Sequence, residues 1–99
     1  MTCDEIRWDW CVEKAASNLL KHKVPFQLAA MALDDPYRLT RTDDDANEFR
    51  LVSLAAVEDV LLVVAHTDPE LERFTGQMVG RIISARKAKP YERRAYFNG

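Results

Sequence analysis

Apolar and polar residues alternate in Glu5–Trp10, with Ile6, Trp8 and Trp10 on one side and Arg7 and Asp9 on the other. A period of two predicts a short strand. The period then lengthens: Val12, Ala15, Ala16, Leu19 and Leu20 recur at helical spacing, while Glu13, Lys14, Ser17, Asn18 and Lys21 fill the other face. Asp9 is a candidate cap for the start of this helix. Lys21-His22-Lys23 place cations at its end, where the helix dipole favours them. Pro25 either ends that helix or opens the next, and Phe26–Leu33 reads as a short second helix with Phe26, Ala29, Ala30 and Leu33 on one stripe.

Asp34-Asp35-Pro36 is a turn signal. Tyr37–Thr42 has strand character, and Asp43–Asn47 is a polar loop. Glu48–Leu54 alternates, with Phe49, Leu51 and Ser53 facing one way and Arg50, Val52 and Leu54 the other. Val60–Thr67 is a valine-rich apolar run of strand length and reads as the most buried strand. Ala55–Asp59 is the expected hairpin between these two. Asp68–Gln77 fits no template. Val79–Ala85 reads as a strand, and Lys89-Pro90-Tyr91-Glu92 opens a last helix, with Tyr91, Ala95 and Tyr96 turned to the sheet and Arg93-Arg94 outward. The expectation is one α+β domain over residues 1–99, with an antiparallel sheet, two N-terminal helices and one C-terminal helix gathered on one side.

Charge changes this picture more than composition does. With 47% hydrophobic and 30% charged residues the chain is an ordinary globular sequence. Its net charge is −2, yet residues 81–99 hold six Lys/Arg against one acid, whereas residues 1–80 hold eight against fifteen. A basic strip on an acidic body attracts phosphate or an acidic partner. Cys3 and Cys11 are too few for a disulfide framework and match no zinc spacing. Asp43-Asp44-Asp45 lacks the alternation, glycine and closing glutamate of a calcium loop. Neither a metal nor another cofactor is expected. The longest apolar run, Val60–Ala65, is too short to span a bilayer, and no signal segment is visible, so a cytoplasmic protein is expected.

The residues Trp8-Asp9-Trp10, followed by Lys14–Phe26, resemble the opening of BrnT toxins, in which a "WD" strand end leads into a helix of pattern "KAxxNLxKHxVxF". Ala30 with Asp34-Asp35-Pro36, then Arg50, Val52, Leu54 and Leu61–Thr67, follow in the family's order. Arg81–Ala88 ("RIISARKA"), with Glu92-Arg93-Arg94 and Tyr96 after it, is the most specific part of the likeness. The resemblance runs from about Ile6 to about Tyr96. It implies a RelE-like fold and the toxin of a type II toxin–antitoxin pair, a metal-independent ribonuclease that inhibits translation. It also implies neutralisation by a BrnA-like antitoxin, through which alone the chain would meet DNA. One departure is clear. Asp68–Gly80 is 13 residues long where similar sequences have a tight turn, so this stretch either lengthens the hairpin or disorders it. It motivates an alternative, a non-catalytic protein- or RNA-binding module that keeps the toxin fold.

Such a reaction uses the substrate's 2′-hydroxyl as nucleophile and needs a proton acceptor, a proton donor and cations for the charge growing on phosphorus-bound oxygens. Arg81 and Arg86 fit the cation role because a guanidinium grips two phosphate oxygens and stays charged. Their spacing of five is odd, so a regular strand turns them to opposite faces. Lys87 and Lys89 add non-specific attraction for RNA. Lys21 is a candidate phosphate contact, and His22 and His66 are candidate proton carriers. Arg50 emerges beside the site or pairs with an acid. The working surface expected from these residues is the strand end at Arg86-Lys87 meeting Lys21 and His66.

Overall fold

A computed structural model of the chain describes residues 6–43 and 50–98. The period-two segment forms β1 (Ile6–Asp9), with Ile6 and Trp8 half-buried and Arg7 and Asp9 exposed. Then come α1 (Val12–His22), α2 (Phe26–Ala32), β2 (Leu39–Thr42), β3 (Leu51–Val57) and β4 (Val60–His66). β5 (Glu70–Leu71), β6 (Met78–Lys87) and α3 (Pro90–Asn98) complete the chain. Pro25 opens α2: its carbonyl accepts from the Leu28 and Ala29 N–H groups. The turn between β3 and β4 is only Glu58-Asp59, with Glu58 at φ 53°, so Ala55–Val57 belong to the strand and not to the hairpin. Glu48 and Phe49, expected to start that strand, and Asp44–Asn47 of the polar loop lie outside the described residues.

The strand order is β1-β6-β4-β3-β2, with β5 also paired to β6. β1 runs parallel to β6 while the other pairings are antiparallel, so the sheet is mixed and not the antiparallel one expected. The long stretch after β4 is an extension of the β4–β6 hairpin. Thr67 N–H bonds to Arg81 O, Glu70 and Leu71 pair with Val79 and Met78, and Glu72 N–H bonds to Gln77 O. Gly76, at φ 71°, closes its turn, a conformation that glycine adopts without steric cost.

One face of the sheet is the core face. Ser53, Ala55 and Val57 of β3, Leu62, Val64 and His66 of β4, and Ile82 and Ala85 of β6 are buried there. Val24, Phe26, Ala29, Ala32 and Leu33, in and around α2, complete the cluster. Trp8 covers Gly80, where a Cβ would clash with the indole, so glycine lets β1 and β6 carry this contact.

α1 departs from its expected orientation. Val12 is 75% and Leu20 76% exposed, and the buried residue of the helix is Asn18. β1 pairs with β6 only as far as Arg81, which leaves the next stretch of that edge open. Asn18 takes it over: Nδ2 donates to Ala85 O at 2.8 Å, and Oδ1 accepts from Ala85 N–H at 3.2 Å. A strand would make the same two bonds. Asp9 does not cap α1; its carboxylate pairs with Arg7, and the N-cap residue is Cys11, without a side-chain cap.

The helices are not gathered on one side. α2 lies on the core face, whereas α3 lies across the other, where Glu92 pairs with Arg86 and Tyr91 and Ala95 border Val52, Leu54 and Val63. Asp35 ties the layers together. Its Oδ2 accepts from Ala56 N–H at 2.9 Å and from the Tyr96 hydroxyl at 2.5 Å, and its Oδ1 accepts from Tyr37 N–H. Burial would raise the Asp35 carboxyl, but these three bonds outweigh it and hold the group below the usual Asp range. The same contact pushes the Tyr96 phenol up to about 12.

Candidate functional site: an arginine-rimmed sheet face

The register decides where the cations go. His66 of β4 stands opposite Ile82, but its neighbour Ala65 stands opposite Ser84, so Ile83 is an extra residue on β6. A bulge of one residue reverses the alternation beyond it. Arg81, beside buried Ile82, and Arg86, opposite Val63, therefore share the face away from the core, contrary to the odd spacing between them. Arg41, opposite Val52, lies on that face as well, and Arg50 precedes Val52 by two residues.

Cross-strand rows show the layout. One row reads Leu39, Leu54, Val63, Arg86; the next reads Arg41, Val52, Ala65, Ser84. At the far end stand Arg50 and Arg81, next to Thr67. Small and branched apolar side chains thus floor the face, and four arginines rim it. Arg41 and the Ser84–Arg81 side of β6 are three strand spacings apart, about 14 Å.

The four arginines differ in their partners. Arg86 makes a two-pronged contact with Glu92, Nη1 to Oε1 at 2.9 Å and Nη2 to Oε2 at 2.8 Å, and Lys89 N–H also bonds to Oε1. The Arg86 bonds hold the Glu92 carboxyl below the usual range, and Glu92 in turn raises the guanidinium. Arg50 pairs with Asp43 through Nε at 3.1 Å. Among the described residues Arg41 bonds to the neighbouring Thr42 carbonyl, and neither it nor Arg81 has a carboxylate partner. Arg81 nevertheless shares its cleft of about 280 Å³ with Asp9, Asp68 and Glu70, which weaken its pull on an anion.

His66 is on the core face and 4% exposed. Its Nδ1 donates to the Thr67 carbonyl at 2.8 Å, which leaves Nε2 to accept from the Ser53 hydroxyl at 2.7 Å. Ser53 Oγ then accepts from Thr40 at 2.8 Å. Trp8 packs edge-on against the ring, with centroids 5.1 Å apart. Burial above all holds the imidazole below its usual pKa, so it is neutral.

The structure does not bring His66 to the Arg86-Lys87 end. Those residues stand opposite Val63 and Leu62, three and four positions back along β4, about 10–13 Å away. Lys21 and His22 sit at the C-terminus of α1, which covers the β6 edge, and no hydrogen bond or ion pair joins either to the arginines or to His66. Lys87 and Lys89 are exposed where β6 leads into α3. Tyr91 lies against the sheet as expected; Arg41 and Glu92 also belong to this face and were not singled out, because local periodicity names an element's faces without saying which neighbours line them. No group of three His, Cys, Asp or Glu is arranged to hold a metal ion among the described residues. No helix among them is long and apolar enough to cross a membrane.

Residues 10–92 match the model of a protein family described as the ribonuclease toxin BrnT of type II toxin–antitoxin systems. No curated protein matches the chain.

Proposed function

This chain belongs to the BrnT family of ribonuclease toxins of type II toxin–antitoxin systems, and from that premise we propose that it cleaves RNA, without a metal, on the arginine-rimmed face of its sheet. Membership implies an RNA substrate and an antitoxin partner. The observation that carries the location is the bulge at Ile83, which turns Arg81 and Arg86 to the same side as Arg41 and Arg50.

In this reading the substrate's 2′-hydroxyl gives its proton to solvent water and attacks the adjacent phosphorus, the bond to the 5′-oxygen breaks, that oxygen leaves with a proton taken from water, and the product ends in a 2′,3′-cyclic phosphate. Arg41 and Arg81, neither of them paired with a carboxylate among the described residues, meet the phosphate directly. Arg50 and Arg86 are held in place by Asp43 and Glu92 and shape the rim. Lys87 and Lys89 draw RNA in. Of the candidate proton carriers that the family likeness offers, His66 is engaged at both nitrogens and serves to fix β3 against β4, while His22 and Lys21 stand on the α1 edge. The cations therefore carry the proposal. The RelE-like fold, arrest of translation, a cytoplasmic site of action and a BrnA-like antitoxin belong to the same proposal, supported by the family and by the antiparallel β2-β3-β4-β6 core of the sheet.

A defined RNA incubated with the protein in excess EDTA tests it. The expected products carry 2′,3′-cyclic phosphate and 5′-hydroxyl ends, and co-expressed antitoxin relieves growth arrest. Cleavage that disappears in EDTA sinks the metal-free mechanism. A second reading, a binding module without catalysis, is favoured by one observation: two of the four arginines are already neutralised by carboxylates. It predicts RNA binding with no cleavage under any of these conditions.

A further inference from the structure

Between α3 and the sheet lies a cavity of about 280 Å³ on the arginine-rimmed face. Val52, Leu54 and Val63 form its floor, Tyr91 and Glu92 stand on its α3 side, and Arg41 is at its border. Tyr91 is 59% exposed. Arg86 already neutralises Glu92 and occupies its two oxygens, so this wall does not repel an anion. Among the described residues, the lining charge without an ion-pair partner is the guanidinium of Arg41.

We propose that this cavity seats one unpaired nucleobase of the RNA substrate, with the base against Tyr91 over the aliphatic floor and its phosphate on Arg41; the proposal rests on the ribonuclease reading above. Size is the first argument. The cavity falls just below the range of about 300–1,000 Å³ that takes a drug-sized ligand, which suits a single ring system. Chemistry is the second. An apolar floor beside an exposed aromatic ring accepts the π-face of any base, and stacking of this kind tolerates sequence. Arg41 at the border, without a carboxylate partner among the described residues, then matches the phosphate attached to that base, a combination an apolar side chain from a protein partner does not offer. The carboxylate of Glu92 has its Oε1 filled by Arg86 and Lys89, so it offers little for reading a base edge. The site selects for a base being present more than for which base it is.

The test is fluorescence anisotropy with a short 2′-O-methyl RNA, which binds without being cleaved, and with the same oligomer made abasic throughout. Tyr91→Ala, which removes the ring, and Ala95→Trp, which fills the cavity from exposed α3, are each expected to weaken binding of the intact oligomer about 5- to 100-fold. Tyr91→Phe keeps the wild-type affinity within about twofold, and the salt dependence of binding stays that of wild type in all three, since no phosphate contact is lost. Arg41→Ala lowers the salt slope by about one. The abasic oligomer binds wild type weakly and does not distinguish Tyr91→Ala. Equal affinity of the intact and abasic oligomers, or wild-type affinity in both Tyr91→Ala and Ala95→Trp, overturns the proposal. Base-dependent binding by a protein that leaves the 2′-hydroxyl RNA uncut supports the base site while refuting the ribonuclease reading; cleavage with unchanged binding in the variants refutes the base site alone.

Discussion

Replacing Asn18 tests the idea that one side chain stands in for a missing strand. Its amide makes three hydrogen bonds, two with Ala85 and one from Nδ2 to the Val24 carbonyl at 3.2 Å. Val24 and Ala85 are each 1% exposed, so water does not readily replace these bonds. Asn18→Leu strands one buried N–H and two buried carbonyls. At about 1–3 kcal/mol per stranded group the loss is about 3–9 kcal/mol, a large share of the about 5–15 kcal/mol that holds a domain folded. Asn18→Ala, which leaves room for a water, falls nearer about 3 kcal/mol. Urea unfolding followed by tryptophan fluorescence reads both. Leu20→Ala is the control. Helical periodicity puts Leu20 on the buried face, the structure leaves it 76% exposed, and its truncation is expected to cost less than about 0.5 kcal/mol. Asn18→Asp adds a signature in pH: its carboxylate faces two carbonyls, so its folded-state pKa is raised, and the variant regains stability relative to wild type as acidification protonates it. Asn18→Leu within 0.5 kcal/mol of wild type, or Leu20→Ala as costly as Asn18→Ala, refutes the reasoning.

Three further perturbations follow from the same packing. His66 is neutral and its pKa is depressed below 6.5, so the unfolded state takes up a proton first; wild-type stability is expected to hold above pH 6.5 and to fall as pH drops below it, and His66→Gln flattens that slope in urea titrations from pH 7.5 to 5.5. Gly80→Ala puts a methyl into the Trp8 ring and is expected to cost about 1–3 kcal/mol, with a change in near-ultraviolet circular dichroism; Trp8→Leu makes room for it and recovers part of the loss. Tyr96→Phe removes the hydroxyl bonded to Asp35, costs about 1–2 kcal/mol, and deletes from the ultraviolet titration the phenol that ionises at about 12.

Much of this fold was legible in the chain because its strands carry period-two patterns over an apolar core. β1, β4 and β6, the two-helix opening and the Pro90 start of α3 all follow from local spacing. What local spacing missed was set by neighbours. Asn18 looked like a surface residue because amphipathic patterns assume that a helix buries apolar side chains, whereas this one meets backbone groups at a sheet edge. The parallel pairing of β1 depends on a partner 72 positions away, Ile6 with Met78, which no local period encodes. The candidate site divides in the same way. Arg81 and Arg86 stood out by charge, and Arg50 was expected to find an acid or the site's margin, which its pairing with Asp43 satisfies. Their common face, however, depends on a one-residue bulge that alternation cannot foresee. Arg41 escaped notice because its charge sits in an acidic half of the chain.

If RNA is cleaved on the sheet face rimmed by arginines, the α1 edge is dispensable for catalysis. The most direct measurement is the single-turnover cleavage rate in EDTA of Arg41→Ala, Arg81→Ala and Lys21→Ala, each first shown to unfold at the wild-type urea midpoint. Loss of one charge-stabilising donor typically slows such a step about 10²–10³-fold, which is the drop expected for Arg41→Ala and Arg81→Ala, with Lys21→Ala within about threefold of wild type. Wild-type rates in both arginine variants, or a drop of that size in Lys21→Ala alone, contradict the account.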